Sequence, residues 1–470
     1  MALTLFSSVV FSSPAVSEAN SASIETKGYD SSGVIVKTEN SPIVVDKEDL
    51  TFHIYSADRF IPGQEYDRRG TVTAEYTFRN PTNLTVETRC LFPFGFVPYD
   101  ESQTEADKEY FKVKTNGKDL DKTIRHTYKA DPFKKFDIDE DLRYFSDDFI
   151  ADDTLSTDLM VYEYVLDVKG TNGKLPTYVK FSDNVKNLKY IVADNYVKYE
   201  KNGDLMELVA WQDGLKGGQL TLAFVGNDVS DVESKFSFFD DKWKSVGGSV
   251  VKGKKVEYNF KDYALKFRPA GSEVSDVDWY NATVAMIKSM MTTVIGVWKH
   301  SLSTRLFRWY DYTLTFAPEE TLVNTVSAPL YPSATRNYVP PVYSYTYLLS
   351  PAAGWADFNN LTIRIYTDMY LLRGETRKSV TNPDGSVTIT GETVDFAKNG
   401  GVYEARFEKL PDGDLTLFLC ASENPERYKP PLGKVTKIII ILSTGIGLIV
   451  IATIILVVTV KKQKTKGKKR

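Results

Sequence analysis

The chain has 470 residues, and its 58 Lys and Arg residues nearly balance its 62 Asp and Glu residues. This composition excludes a disordered chain, because 42% of the residues are apolar and 13% are aromatic, which is enough for a hydrophobic core. Two cysteines are too few for a disulfide-rich scaffold. A formal net charge of −4 gives no reason to expect a nucleic-acid partner.

The chain begins with a segment that is similar to an export signal. Residues 2–11 form a short apolar run, and Ser17 and Ala19 supply small residues at the −3 and −1 positions of a cleavage site. However, no Lys or Arg precedes the run and serines interrupt it, so a disordered leader rich in Ser and Ala is the alternative. We interpret residues 1–22 as a signal-peptide-like leader.

Most of the chain between residues 34 and 423 predicts antiparallel strands. Apolar residues alternate with polar ones, as in a sheet with one buried face, at 71–79, 312–316, 361–365, 403–408 and 415–419. Pairs of Asn-Gly or Asp-Gly, which favour tight hairpin turns, occur at 202–203, 384–385, 399–400 and 412–413. We therefore expect a mainly β protein with minor helices (α+β), in which an antiparallel, β-sandwich-like ectodomain is followed by one C-terminal transmembrane helix.

Two segments predict helix instead of strand. Residues 131–160 are rich in acids and aromatics, and residues 278–303 place apolar side chains at helical spacing, although Thr and Val would also allow a strand in their second half. A cluster of Pro, Gly and Ser at 268–272 suggests a domain boundary. We predict an N-terminal β-rich domain over 34–268 with a helical insertion near 131–160, a C-terminal β-rich domain over 278–423, and a Pro-containing linker over 424–437.

The last part of the chain predicts a membrane anchor. Residues 438–460 contain no charge and no proline, and a 23-residue helix would be about 35 Å long, enough to cross a bilayer. The tail 461–470 carries seven basic residues, which places it in the cytoplasm beside anionic lipid and leaves the ectodomain outside the cell. Ser443 and Gly447 form a pair of small residues that would let a second helix pack closely against the span.

Two phrases in the sequence carry a resemblance. EYTFRNPTNLTVETRCLFPFG (75–95) and YSYTYLLSPAAGWADFNNLTIRIYT (343–367) resemble phrases in exported, single-pass membrane proteins of Gram-positive bacteria, in which extracellular β-domains precede one C-terminal span. The resemblance implies a surface-exposed, membrane-tethered protein. It implies no activity, cofactor or site residue.

Few residues suggest catalysis or metal binding. The three histidines His53, His126 and His300 do not have metal-ligand spacing, and we expect no catalytic site, no metal and no cofactor. The acids at 137–141 have the spacing of a calcium loop but lack its glycine, so solvated acids are the better interpretation. Cys90 and Cys420 could form a disulfide in an oxidising compartment, and two buried free thiols are the alternative.

Aromatic residues provide the candidate binding set. Exposed rings stack on sugars or anchor a protein partner, whereas tyrosines that alternate along a strand also serve as ordinary sheet residues. The candidate binding residues are Tyr343, Tyr345, Tyr347 and Trp355.

The sequence therefore predicts a membrane-anchored extracellular protein of the recognition, adhesion or envelope type, without enzymatic activity. A cell-surface glycan hydrolase is the first alternative and would require a cleft with two carboxyl groups. An accessory subunit that acts through its membrane helix is the second. Expected partners are membrane lipid and a glycan or protein outside the cell.

Overall fold

The computed structural model describes residues 25–26, 31–32, 34–36, 40–55, 70–96, 112–129, 138–193, 195–212, 218–290, 302–303, 305–330, 332–382 and 386–428. The predicted leader 1–22, the predicted span 438–460 with Ser443 and Gly447, and the tail 461–470 lie outside these residues. Within the described part of the chain, no helix is long and apolar enough to cross a bilayer.

The described residues are mainly β, with few helices, which confirms the predicted fold class at that level. The first strands are β1 (Glu25–Thr26), β2 (Ser31–Ser32), β3 (Ile35–Val36), β4 (Val44–Ile54), β5 (Gly70–Arg79), β6 (Val86–Phe96), β7 (Lys112–Thr115), β8 (Lys118–Asp119) and β9 (Thr123–Tyr128). The middle elements are α1 (Ile138–Asp141), β10 (Met160–Gly170), β11 (Tyr178–Asn184), β12 (Tyr190–Ala193), β13 (Tyr196–Asn202), β14 (Leu205–Trp211), β15 (Gln219–Val225), β16 (Phe236–Phe239), β17 (Gly248–Asn259), α2 (Phe260–Leu265) and α3 (Asp276–Met290). The last strands are β18 (Leu306–Phe316), β19 (Thr321–Leu330), β20 (Ser333–Thr335), β21 (Tyr338–Val339), β22 (Val342–Leu348), β23 (Asp357–Thr367), β24 (Tyr370–Thr381), β25 (Val387–Thr393), β26 (Ala397–Asn399), β27 (Val402–Lys409), β28 (Asp414–Cys420) and β29 (Glu426–Arg427).

Three sheets form the main sandwich. Sheet I has the strand order β26-β27-β23-β4-β5-β19-β7-β8, sheet II has β1-β20-β22-β28-β24-β25 with β2 beside β22, and sheet III has β3-β6-β18-β9. Residues of all three sheets share one core, in which Phe52 of sheet I, Tyr347 of sheet II and Tyr312 of sheet III are buried. Sheet I therefore packs against sheets II and III, and the predicted period-two alternation supplies both sides of the core.

The main sandwich is built from both ends of the described chain. β5 pairs with β19 and β6 pairs with β18, while β4 runs parallel to β23. Strands from the predicted 34–268 and 278–423 domains thus share sheets, and the predicted boundary near 268–278 does not separate two sets of sheets. The Pro-Gly-Ser cluster at 268–272 instead lies between α2 and α3.

The middle of the chain forms a second, inserted sandwich. Sheet IV has the order β12-β15-β10-β17 and sheet V has β13-β14-β11-β16, and Phe181 and Phe224 lie in the core between them. The other face of sheet IV packs on α2 and α3 around Trp279. Because α3 also packs against β9 of sheet III, the helices lie between the two sandwiches and sheet V is the outermost layer of the insert.

The two helical predictions had different outcomes. α3 confirms the first half of the predicted helix over 278–303, whereas residues 291–301 lie outside the described residues. The helix predicted over 131–160 is wrong for most of the described part, because only α1 is helical there and β10 begins at Met160. Two acids of this segment form ion pairs: Asp141 pairs with Lys129 at 2.8 Å and Asp147 with Arg89 at 2.7 Å.

A charge cluster with a buried centre joins the insert to the main sandwich. Arg125 of β9 pairs with Asp278 of α3 at 2.9 Å and with Asp147 at 2.7 Å. Asp311 of β18 accepts hydrogen bonds from Arg89 at 2.9 and 2.5 Å. Burial alone would raise the pKa of Asp278, but hydrogen bonds from His126 and Arg125 outweigh it and hold that pKa below its ordinary value.

Candidate functional site

The outer face of sheet V combines aromatic and charged side chains. Along β11, Val179 and Phe181 point into the core, so the alternation of the strand places Tyr178 and Lys180 on the opposite face. Tyr178 lies directly across from Trp211 of β14 in the antiparallel register. Two aromatic rings are thereby brought to one end of the outer face.

The neighbouring strands add charged groups to this face. Lys180 lies across from Val209, and Glu207 lies two positions further along β14. On the other side of β14, Lys198 pairs in register with Val209 and Glu200 with Glu207. Residues opposite each other in an antiparallel pair share a face, so these four charges surround Val209.

The turn between β16 and β17 holds Trp243 above the outer face. The Asp240 carboxylate accepts hydrogen bonds from the backbone N–H groups of Lys242 and Lys244, both at 2.9 Å. The bond from Lys244 is the main reason that the pKa of Asp240 lies below its ordinary value. Trp243 itself has a φ of +59°, which a bulky side chain rarely adopts.

Two other rings fix the position of Trp243. Its ring stacks on Tyr178 with centroids 4.5 Å apart and planes 8° from parallel. It also lies against Phe239, with centroids 5.7 Å apart. Trp243 nevertheless remains 49% exposed, and Trp211 is 42% exposed. The strained turn and the stacked rings thus hold an apolar ring at the surface, where it does not contribute to the hydrophobic core.

Trp243 and the charged residues line a cavity of about 300 Å³. Its wall consists of six residues, Lys180, Lys198, Glu200, Glu207, Val209 and Trp243. This volume is at the lower end of the range of small-molecule sites. The cavity is open to solvent on the outermost sheet, where a ligand can reach it.

The charges of the cavity are paired. Lys180 contacts Glu207 at 2.6 Å, and Lys198 contacts Glu200 at 2.7 Å. The hydrogen bond from Lys180 is the main cause that lowers the pKa of Glu207, so this carboxyl group is ionised at neutral pH. Two cations and two anions therefore stand beside one exposed indole, an arrangement that offers hydrogen-bond donors, acceptors and a flat apolar surface to the same ligand.

The aromatic residues that the sequence suggested for binding are in the core. Tyr343, Tyr345, Tyr347 and Trp355 are at most 5% exposed. The tyrosines alternate along β22 on the face that sheet I covers, and Trp355 packs on Phe78 with ring centroids 4.4 Å apart. The three tyrosines serve as ordinary sheet residues and Trp355 as a core residue next to β23, and the structure does not bring any of the four to a ligand-accessible surface.

Both cysteines are buried free thiols, so the disulfide that the sequence allowed is not formed in the structure. The Cys90 thiol donates to the Thr88 carbonyl within sheet III, and the Cys420 thiol donates to the Pro340 carbonyl beside sheet II. Burial raises the pKa of Cys90 well above its ordinary range. The two cysteines are buried in separate sheets, where each packs as a small apolar residue of the core.

The carboxyl group of Glu48 is buried in the core of the main sandwich. Glu48 is fully buried, and its Oε1 lies 3.4 Å from the Tyr347 hydroxyl, which lies 3.4 Å from the Tyr76 hydroxyl. Burial is the main reason that its pKa is raised to about 7. The raised pKa links the protonation of Glu48 to the stability of the fold. Among the described residues, no cluster of three or more His, Cys, Asp or Glu side chains could hold a metal ion.

The sequence matches no protein-family model and no curated protein. Among solved structures, one match is described as a proposed nutrient-binding protein from Legionella pneumophila. It is 10% identical, with a TM-score of 0.30, over 84% of this chain and 72% of that one. A similarity this distant carries no argument about function.

Proposed function

We propose that the protein is a membrane-anchored, extracellular recognition protein without catalytic activity, and that it binds carbohydrate on the outer face of sheet V. The observation that carries this proposal is the position of Trp243. Its half-exposed ring is held by Tyr178 and by a strained turn at the edge of a cavity that contains two Lys–Glu pairs. Aromatic rings bind the apolar face of a sugar, while charged side chains hydrogen-bond to its hydroxyl groups.

The composition of the cavity favours a sugar over a protein partner. Four of its six lining residues are Lys or Glu. Both residue types are depleted in protein–protein interfaces, whose centres are apolar. A sugar, in contrast, needs many donors and acceptors close to one flat apolar surface.

The location outside the cell is supported by the sequence alone. The apolar segment 438–460 and the basic tail 461–470 support a single-pass anchor with a cytoplasmic tail. Sheet V is the outermost layer of the insert and lies beyond the helices that pack on the main sandwich. A ligand could therefore reach this sheet without passing the main sandwich.

Glycan hydrolysis is the second candidate, because the cavity does contain two carboxyl groups. Glu200 and Glu207 are directly opposite each other on β13 and β14. Hydrolysis requires one carboxyl group with a raised pKa as general acid. Each glutamate instead contacts a lysine, and the pKa of Glu207 is lowered. Binding without cleavage fits these contacts better.

The test is a glycan array probed with the full-length protein in detergent, followed by chromatography of every glycan that is retained. We expect saturable retention, no cleavage products and loss of retention in Trp243→Ala. Tyr55→Ala is the matched control, because Tyr55 is 59% exposed but belongs to the main sandwich. Absence of binding to any glycan, or equal loss in both variants, would contradict the proposal, and cleavage products would favour the hydrolase.

A further inference from the structure

We infer that the sugar bound in this cavity is neutral, carrying neither carboxylate or sulfate groups nor free amines; this inference rests on the proposed function. The cavity has two lysines and two glutamates, so its formal charge is zero. Each lysine already contacts a glutamate, at 2.6 and 2.7 Å. The cavity therefore has no unmatched charge with which to select an ionic ligand.

An anionic sugar would meet an unfavourable environment. A carboxylate or sulfate that approached Lys180 or Lys198 would also approach the glutamate paired with it. Glu200 and Glu207 are direct neighbours on the same face of β13 and β14, so an anion beside either lysine would lie close to both carboxylates. The reverse argument applies to an amino sugar, which would approach both lysines.

A hydroxyl group avoids both penalties, because it donates one hydrogen bond and accepts others. An ammonium group has three donors and a carboxylate has several acceptor sites, so a Lys–Glu pair keeps its mutual contact while it binds two neighbouring hydroxyls. Ser182, which donates to Glu207 at 3.1 Å, helps to hold that carboxylate in place. The Lys180–Glu207 pair is the less exposed of the two, because its side chains are 31% and 25% exposed against 59% and 53% for Lys198–Glu200.

The ring of Trp243 supports the same ligand class. One face of the indole is covered by Tyr178, and the carboxylate of Asp240 fixes the turn that carries it. A ring that is held in place before binding loses little entropy when a sugar stacks on it. Stacking on Trp243 needs no charge on the sugar. The indole ring and the Lys–Glu pairs therefore both favour a neutral sugar.

The test compares three hexasaccharides of equal length on the full-length protein: cellohexaose, which is neutral, hexagalacturonate, which is anionic, and hexaglucosamine, which is cationic. We expect the dissociation constant for the neutral sugar to be at least about tenfold lower than for either charged one, a difference of about 1.4 kcal/mol. Binding of the neutral sugar should also change little with salt, because screening acts on unbalanced charges.

Two charge variants make the inference independent of the particular neutral sugar. The double substitution Glu200→Gln and Glu207→Gln leaves two unpaired lysines and should shift preference toward hexagalacturonate. The double substitution Lys180→Met and Lys198→Met should shift it toward hexaglucosamine. Thermal unfolding of each variant verifies that it remains folded.

The outcomes separate the two proposals. Tighter binding of a charged sugar by the unmodified protein, lost in Trp243→Ala, would overturn the neutral class and leave carbohydrate recognition intact. Failure of every sugar on the array and in this set would overturn both. Unchanged preference in the two charge variants would show that the Lys–Glu pairs do not determine the ligand class.

Discussion

Arg125 and Asp278 lie 153 positions apart in the chain, and their side chains are joined by three donor–acceptor contacts of 2.9 to 3.2 Å. Their side chains are 9% and 3% exposed. A buried ion pair is not strongly stabilising as a whole, but removing one partner leaves the other charge without compensation. We expect Asp278→Asn to lower the free energy of unfolding by about 3–5 kcal/mol, measured by urea denaturation.

The neighbouring acid provides the control for this substitution. Asp276 pairs with Arg268 at 2.8 Å, but its side chain is 56% exposed. Exposed ion pairs contribute little, so Asp276→Asn should cost less than about 1 kcal/mol. Equal decreases in the free energy of unfolding in the two variants would show that the contacts of Arg125 with Asp278 do not stabilise the junction between the insert and the main sandwich.

Glu48 should make stability depend on pH. Burial raises its pKa from 4.5 to about 7, so between these values the folded protein keeps a proton that the unfolded chain releases. The stabilising contribution is complete below pH 4.5 and is lost as the pH rises through 7. The full loss corresponds to about 3 kcal/mol.

Glu48→Gln should therefore flatten the decrease in stability between about pH 5 and pH 8, the range that the raised pKa covers. Urea midpoints measured at several pH values test this. Glu75→Gln is the control, because Glu75 is exposed on β5, and its slope should match that of the unmodified protein. A Glu48→Gln variant with an unchanged slope would contradict the raised pKa.

The cysteines should react only after unfolding. Both are buried free thiols, and burial holds the pKa of Cys90 well above its ordinary range. We expect iodoacetamide at pH 8 to leave the folded protein unmodified and to add two groups in urea without any reductant, as read by mass spectrometry. Two groups added only after reduction would establish a disulfide instead.

Removal of the Tyr345 ring should lower the free energy of unfolding far more than removal of the Trp243 ring. Tyr345 is 3% exposed, so Tyr345→Ala leaves a core cavity and should cost about 3–5 kcal/mol. Trp243→Ala removes a half-exposed ring and should change stability by less than about 1 kcal/mol, as most surface substitutions do. Urea denaturation gives both values. A selective loss of ligand binding in folded Tyr345→Ala would return the β22 tyrosines to the site.

Local patterns predicted much of the secondary structure. The alternation at 71–79 became β5, and the alternations at 361–365 and 403–408 became β23 and β27. The Asn-Gly pair at 202–203 lies in the hairpin between β13 and β14. These features depend on neighbours in sequence, which is why a single sequence contains them.

Long-range pairing could not be predicted in the same way. Nothing local shows that β4 pairs in parallel with β23, or that sheet I covers the tyrosines of β22. The alternation along β22 indicated that the tyrosines share a face, but not whether that face is covered. The binding-site prediction failed at that step.

The outer face of sheet V had a weaker signal that the sequence analysis missed. In LMELVAW (205–211), Trp211 is four positions from Glu207, so the alternation places it on the polar face. In β11, Tyr178 likewise shares a face with Lys180. An aromatic residue in phase with charged ones indicates exposure, whereas Trp243 lies in a turn, where no periodicity applies.

The pairing of β4 with β23 also determines the order in which the protein can assemble. Asn360 donates to the carbonyl of Asp46, 314 positions earlier, so sheet I cannot form until most of the chain has left the ribosome. The inserted sandwich needs only strands β10 to β17 and can fold while the C-terminal strands are still being made. Until their C-terminal partner strands have been made, β4, β5 and β6 have unpaired edges, which can aggregate or bind chaperones. β28 lies between β22 and β24, so a chain truncated before β28 could not join these two parts of sheet II. Its inserted sandwich would still contain all of its own strands.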